Sequence, residues 1–204
     1  GKRGDTMIRP MAEKDLDAVV EVHLESFPQF FLTFLGPRFL RILYDGIRRD
    51  TEGVVLVEDG EDGRLSGFVA GVRHQVGFYR RLIRRHLFSF AFASLGACLR
   101  RPTVAPRLLQ ALAKPQEVQR SAAEAGLMSL AVRPACQGRG TGRRLVEEFC
   151  RAMRASGVPA ICLTTDRPQN ERVNRFYERL GFRIARTYVT PEKRAMNEYV
   201  LDLK

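Results

Sequence analysis

The sequence predicts an α/β fold: one domain in which a mixed central sheet is flanked by helices. Three observations predict it. A strand pattern, a glycine turn and a helix pattern follow one another over residues 127–156. An apolar strand at 160–165 comes directly after that helix, so the two strands read as a right-handed βαβ unit with parallel neighbours. The remaining strands come as hairpins, 54–58 with 65–73 and 182–189 with 196–203, and hairpin strands are antiparallel.

In chain order, residues 6–10 are short and apolar enough for a first strand. Residues 12–27 follow as a helix. Leu16, Val19, Val20, His23, Leu24 and Phe27 share one face, and Glu13, Asp15 and Asp17 crowd the start, where the helix dipole favours negative charge. His23 lies on the apolar side and reads as a core histidine in preference to a catalytic one. Residues 30–49 form a second helical stretch, broken at Gly36-Pro37 and rich in Phe30, Phe31, Phe34 and Phe39. Those aromatics either pack the core or shape a pocket. The hairpin 54–73 turns at Glu61-Asp62-Gly63. Gly67 and Gly71 in its second strand imply a bulge or the close approach of another backbone.

Residues 77–114 interrupt this regular alternation and read as an insertion. No residue from Leu87 to Leu99 is charged, but that run is too short to span a bilayer. It suits burial in the fold, a homodimer contact or an interfacial helix lying on a membrane surface. Pro102 and Pro106 break the helix, and 107–113 makes a short second one. After the βαβ unit, Asn170 caps a further helix whose inner stripe is Val173, Phe176, Tyr177 and Leu180, and Gly181 ends it.

Composition narrows the class. The chain has 204 residues with 45% hydrophobic and 28% charged, suited to one domain spanning 6–204. The polar start carries no apolar signal core. Four scattered cysteines without a Cys-x-x-Cys pair then read as reduced thiols in the cytoplasm, and three histidines offer no metal site at zinc spacing. The net charge is +11, and between Gly63 and Gln116 there is no acid but ten Lys and Arg residues. Such a patch draws phosphates, anionic lipid or nucleic acid. No nucleic-acid motif accompanies it, so nucleic acid is not the favoured partner.

The chemistry concentrates in Gln137-Gly138-Arg139-Gly140-Thr141-Gly142, between strand and helix. The first turn of a helix leaves N–H groups without partners, and its dipole attracts anions. Glycines let the backbone approach a ligand, and Arg139, Arg143 and Arg144 add cations. A phosphate or pyrophosphate is the expected guest. The dinucleotide fingerprint fails because Arg143 stands where its third glycine belongs, and the P-loop ending Gly-Lys-Ser/Thr is absent.

Val132-Arg133-Pro134 followed by this glycine run resembles the acetyl-CoA signature of the GCN5-related N-acetyltransferase (GNAT) family. The segment from Asn170 through Val173, Phe176 and Tyr177 to Gly181-Phe182 resembles that family's second motif, with Val173 where alanine is usual. The resemblance implies the acyl-CoA N-acyltransferase fold and transfer of acetyl from acetyl-CoA to a primary amine. It implies that Leu130, Ala131 and Val132 pair with the pantetheine arm, and that Gln137, Gly138, Arg139, Gly140, Thr141, Gly142 and Arg143 wrap the pyrophosphate. It also implies that Asn170 contacts CoA or caps its helix, and that Tyr177 protonates the departing thiolate. The general base is open. The position where relatives carry glutamate aligns with Gly126; Glu124, Glu117, His74 or a water chain are the alternatives. The acceptor is open as well: a small amine or amino sugar, bearing phosphate if the basic insertion covers the acceptor cleft, or a protein amino terminus. A catalytically inactive acyl-CoA-binding module is the competing function.

Overall fold

A computed structural model describes residues 7–28, 31–100, 124–190 and 193–204. The first strand, β1 (Ile8–Pro10), leads through a 3-10 turn (Glu13–Asp15) into α1 (Leu16–Ser26). Then come α2 (Phe31–Leu35), α3 (Pro37–Arg49), β2 (Gly53–Asp59), β3 (Leu65–Val72) and α4 (Phe78–Arg100). The second half holds β4 (Glu124–Val132), α5 (Thr141–Ala155), β5 (Ala160–Asp166), α6 (Glu171–Arg179), β6 (Arg183–Val189) and β7 (Ala195–Asp202). The helical break expected at Gly36-Pro37 separates α2 from α3, with Gly36 at φ 96° and Pro37 opening the new helix.

Seven strands form one sheet in the order β1-β2-β3-β4-β5-β7-β6. Only β4 and β5 are parallel; every other neighbouring pair is antiparallel. The sheet is therefore mixed, as expected, and β7 inserts between β5 and β6. Strand alternation sorts the side chains into two cores. Val55, Val57, Phe68, Ala70 and Val72 face α1, α3 and α4. Val54, Leu56, Val69 and Leu127 face α5 and α6. The inner stripe of α5, Leu145, Val146, Phe149 and Met153, is 0–1% exposed. Each such side chain contributes about 1.5–3 kcal/mol relative to solvent exposure.

One expectation needs correction. The strand expected to begin at Leu127 starts at Glu124, because Glu124, Ala125 and Gly126 pair with Ala160, Ile161 and Cys162. Pairing with a distant strand thus extends β4 backwards. Of the insertion, Phe78–Arg100 is helical as expected, in two segments that meet at a kink at His86 (φ −119°, ψ 17°). The short helix expected at 107–113, with Pro102 and Pro106, lies outside the described residues.

The bulge signalled by the glycines of β3 is present. Register slips between Ala70 and Gly71: Ala70 faces Ser129, Gly71 faces Leu127, and Met128 has no partner on β3. A Cβ on Gly71 would sit 2.3 Å from the Gly126 carbonyl oxygen and 2.5 Å from the Phe149 ring. Only glycine lets β3, β4 and α5 close together there.

Candidate functional site

After Gly126, β4 and β5 part. Their parallel pairing covers three residues, while β5 continues to pair with β7 as far as Asp166. From Leu127 to Val132 the β5-side edge of β4 therefore carries main-chain groups that meet no strand among the described residues. Leu130, Ala131 and Val132 pair with Val69, Phe68 and Gly67 on their other side, so this edge is held rigidly. The Val132 carbonyl is already engaged, accepting from Ser26 Oγ at 3.2 Å and Gln137 Nε2 at 3.3 Å.

The glycine loop closes the end of this opening. Gly138 and Gly140 have φ of 78° and 82°, left-handed backbone that favours glycine. Gly140 is the N-cap of α5 and no side chain caps the helix. The first-turn N–H groups of Thr141, Gly142 and Arg143 thus have no helical acceptor and point at the loop. A Cβ on Gly138 would meet nothing within 4 Å. Positive φ there without crowding leaves space over the loop that a ligand can use. Gln137 bridges the loop to α6, because Arg172 Nη2 donates to its Oε1 at 3.3 Å. A Cβ on Gly142 would lie 3.5 Å from both Phe176 and Val132. Loop, β4 end and α6 therefore meet at one place.

Beneath the loop lies a group that the sequence reading missed. Glu58, at the end of β2, is 0% exposed. Its carboxylate accepts from Arg144 Nη2 at 2.7 Å and Nε at 3.0 Å, Thr141 Oγ1 at 2.9 Å and Ser66 Oγ at 3.0 Å. Arg144 also donates to the Arg139 carbonyl at 2.9 Å. The Arg144 guanidinium, held by Glu58, is pushed above its ordinary pKa. This buried, four-donor carboxylate fixes the loop from below. It also reassigns two side chains: the Thr141 hydroxyl and the Arg144 guanidinium face Glu58. The Arg143 guanidinium pairs along the helix with Glu147 at 2.7 Å. What these residues offer a ligand is main chain, plus the exposed Arg139 side chain.

Tyr177 lies on the inner face of α6 at 6% exposure. Its ring packs against Phe176, Phe182 and Tyr199 at centroid distances of 5.1, 5.5 and 6.4 Å. Burial raises its phenol above the ordinary value, so it is a neutral donor and a weaker acid than in water. Asn170 is at the N-cap of α6 but makes no capping bond; its Nδ2 donates to the Asp166 carbonyl at 3.0 Å. The cap expected of it is thus positional only. Asn174, unmarked in the sequence reading, ties α6 to β5 through Thr165 Oγ1 at 2.6 Å.

On the opposite face, His23 is 2% exposed. Its Nδ1 is 2.7 Å from Tyr44 Oη, and Tyr44 in turn donates to Ser129 Oγ at 3.3 Å. Burial lowers His23 to about 4, so it is neutral at physiological pH. The core reading of His23 fits, although Nε2 has no hydrogen-bond partner among the described residues. At Gly126, a Cβ would fall 2.5 Å from the Gln75 side chain, whose Nε2 is 2.9 Å from Cys162 Sγ. The place of a side chain at 126 is thus filled by an amide from the loop after β3. Among the base candidates, Glu124 opens β4 three residues before its edge is freed, about 10 Å of strand. His74 is exposed and paired with Glu52 at 2.7 Å, and Glu117 lies outside the described residues.

No curated protein matches the chain. Solved structures do. An acetyltransferase of the GNAT family from Desulfovibrio desulfuricans is 17% identical, with 98% of this chain and 99% of that one covered at a TM-score of 0.66. An acetyltransferase from Salmonella typhimurium, solved with its cofactor acetyl-CoA, is 16% identical over 98% and 95% of the two chains at 0.63. A spermidine/spermine N-acetyltransferase from Vibrio cholerae is 13% identical over 98% and 95% at 0.58. At these identities the likeness establishes a shared fold, the seven-stranded mixed sheet flanked by helices. The sequence match is independent of that likeness: residues 16–182, from the start of α1 to the end of the second motif, fit the profile of the acetyltransferase (GNAT) family, and the chain belongs to that family.

Proposed function

We propose that this protein is an N-acetyltransferase that moves an acetyl group from acetyl-CoA to a primary amine, with a small molecule or amino sugar as acceptor. The observation that carries this reading is the parting of β4 from β5 after Gly126, with the glycine N-terminus of α5 at its end. That opening fits an extended arm ending in a pyrophosphate. The Leu130, Ala131 and Val132 edge would hold the arm. The N–H groups from Gly138 to Arg143, with the Gln137 and Arg139 side chains at the rim, would hold the pyrophosphate. Acetyl-CoA supplies the activated acyl group. Tyr177 would return a proton to the departing sulfur; in a buried site both partners are raised, which keeps the transfer close to balanced. Glu124 stands for the base that takes the amine proton. Asn170 would meet CoA at the start of α6.

The enzyme would work in the cytoplasm as one domain over 6–204. The exposed arginines of α4 would draw an acceptor that bears phosphate. The test is calorimetric titration with CoA, followed by an amine screen read by free-thiol release from acetyl-CoA. Absence of CoA affinity overturns the binding site. Tight CoA binding without thiol release on any amine makes the chain an acyl-CoA-binding module.

A further inference from the structure

α4 packs on the body of the fold through Phe78, Leu82 and Phe90, which are 0, 3 and 3% exposed. The Phe90 ring is 4.8 Å from Phe39 and 6.1 Å from His86. These inner positions recur every four residues. The opposite line recurs at the same step: Arg80, Arg84, Phe88 and Phe92, all exposed, with Arg85 exposed beside them. Phe88 at 88% and Phe92 at 70% are the two most exposed large apolar side chains among the described residues. Arg80, Arg84 and Arg85 make no hydrogen bond or ion pair among the described residues, although acids are available elsewhere on the surface. The helix thus presents a basic half and an aromatic half on one outward line. The backbone break at His86 lies where they meet.

Soluble surfaces seldom leave two phenylalanines on one helix face open to water. Arginines followed by aromatics on one line suit the boundary between lipid headgroups and acyl chains. We propose that the outer line of α4 docks on an anionic membrane surface, with Phe88 and Phe92 entering the acyl boundary and Arg80, Arg84 and Arg85 meeting lipid phosphates. Charge complementarity selects this occupant. From Arg64 to Gln116 the chain has no acid, so a second copy that met this line with its own α4 in a two-fold contact would bring more arginines and no acid from that segment. No described helix is long and apolar enough to cross a membrane, so α4 lies on the surface. The docking does not rest on acetyl transfer, although it engages the same arginines that would draw a phosphate-bearing acceptor; vesicle binding and acceptor KM read the two separately.

The chain contains no tryptophan, so Phe88→Trp installs a single fluorescent reporter. Vesicles of phosphatidylcholine containing about a third phosphatidylglycerol should blue-shift its emission and sediment the protein; pure phosphatidylcholine vesicles should do neither. Each arginine near an anionic surface is worth roughly fivefold in partition, so changing Arg80, Arg84 and Arg85 to glutamine should weaken binding on the order of 100-fold. High salt should weaken the parent similarly. Phe88→Ser with Phe92→Ser should abolish sedimentation. These positions are on the surface, so cooperative thermal unfolding should persist in every variant. Equal binding to both vesicle types, or none to either, overturns the proposal. So does reporter emission that is already blue without vesicles, or that shifts with protein concentration; either means that another part of the chain or a second copy covers the line.

Discussion

Replacing Glu58 by glutamine tests whether the glycine loop is held from below. The carboxylate accepts four hydrogen bonds from three side chains and is fully buried. Glutamine keeps the shape and one oxygen, so the Ser66 and Thr141 hydroxyls retain an acceptor. The new amide NH₂ then faces the Arg144 guanidinium, donor against donor. A hydrogen bond to a charged group is worth ~1.5–3 kcal/mol, and removing one partner of a buried ion pair costs ~3–5 kcal/mol. Arg144 has 38% of its side chain exposed and regains water, which discounts the larger figure. The expected loss is ~2–3 kcal/mol. For a chain of this size that is a fall in Tm of ~5–10 °C. Arg144 also holds the Arg139 carbonyl, so the loop loosens and CoA should bind about tenfold more weakly, ~1.4 kcal/mol. Melting curves by circular dichroism and calorimetric titration read the two effects separately. Parental Tm would refute the energetic argument. A lowered Tm with parental CoA affinity would refute the link between Glu58 and the loop.

Other expectations follow from the same geometry. Gly140→Val forces a β-branched residue to φ near 82° and sets its Cβ 3.1 Å from Arg144, so CoA binding should be lost while the two cores still unfold cooperatively; undiminished affinity in a titration counts against the loop as the site. Tyr177→Phe should lower turnover by ~10²–10⁴-fold with little change in CoA affinity. Parental rates across the pH range would make Tyr177 purely structural. His23 has its folded pKa near 4, below the unfolded 6.5, so the unfolded chain binds the proton first. Its stabilising effect is complete above pH 6.5 and falls away toward pH 4, by up to ~3 kcal/mol. Urea titrations at neutral pH and near pH 4.5 should show a steeper acid loss in the parent than in His23→Gln, and equal losses would remove His23 as the cause. Changing Arg80, Arg81, Arg84 and Arg85 together to glutamine should raise the KM for a phosphate-bearing acceptor and leave CoA affinity alone, with the effect shrinking at high salt.

What the sequence made legible was local. The strand, glycine turn and helix from Leu127 onwards, the break at Gly36-Pro37 and the helix end at Gly181 each depend on residues that restrict their own backbone. Gly71 announced a bulge because a strand tolerates glycine poorly without a reason. What stayed hidden depends on long separations. Glu58 meets Thr141 and Arg144 across 83 and 86 residues, and a lone glutamate ending a strand looks like any solvated acid. Gln75 filling the space above Gly126 could not be read, since nothing in either residue marks the other. The parting of β4 and β5 was hidden for a related reason: strand patterns give side-chain faces, not how far two strands run together. Asn170 misled in the opposite direction: its Nδ2 donates to the Asp166 carbonyl, and its side-chain oxygen accepts no capping bond from the helix N–H groups.

The parted strands bear on aggregation. Unpaired strand edges invite other chains to add on, and proteins usually blunt them at the rim of a sheet. Here the rim strand β1 is only three residues long, and β6 carries Arg183 and Arg186. The long apolar edge of β4 instead lies inside the sheet, facing an edge of β5 beyond Cys162 that is equally unpaired among the described residues. A foreign strand has to enter between two strands of one sheet to reach it, whereas a narrow, flexible ligand does not. Among the described residues nothing covers that edge, and a ligand seated in the opening would relieve the hazard. Ligand at a hundredfold excess over its Kd would then add ~2.7 kcal/mol against unfolding and cover a stretch of backbone well suited to recruit a neighbour.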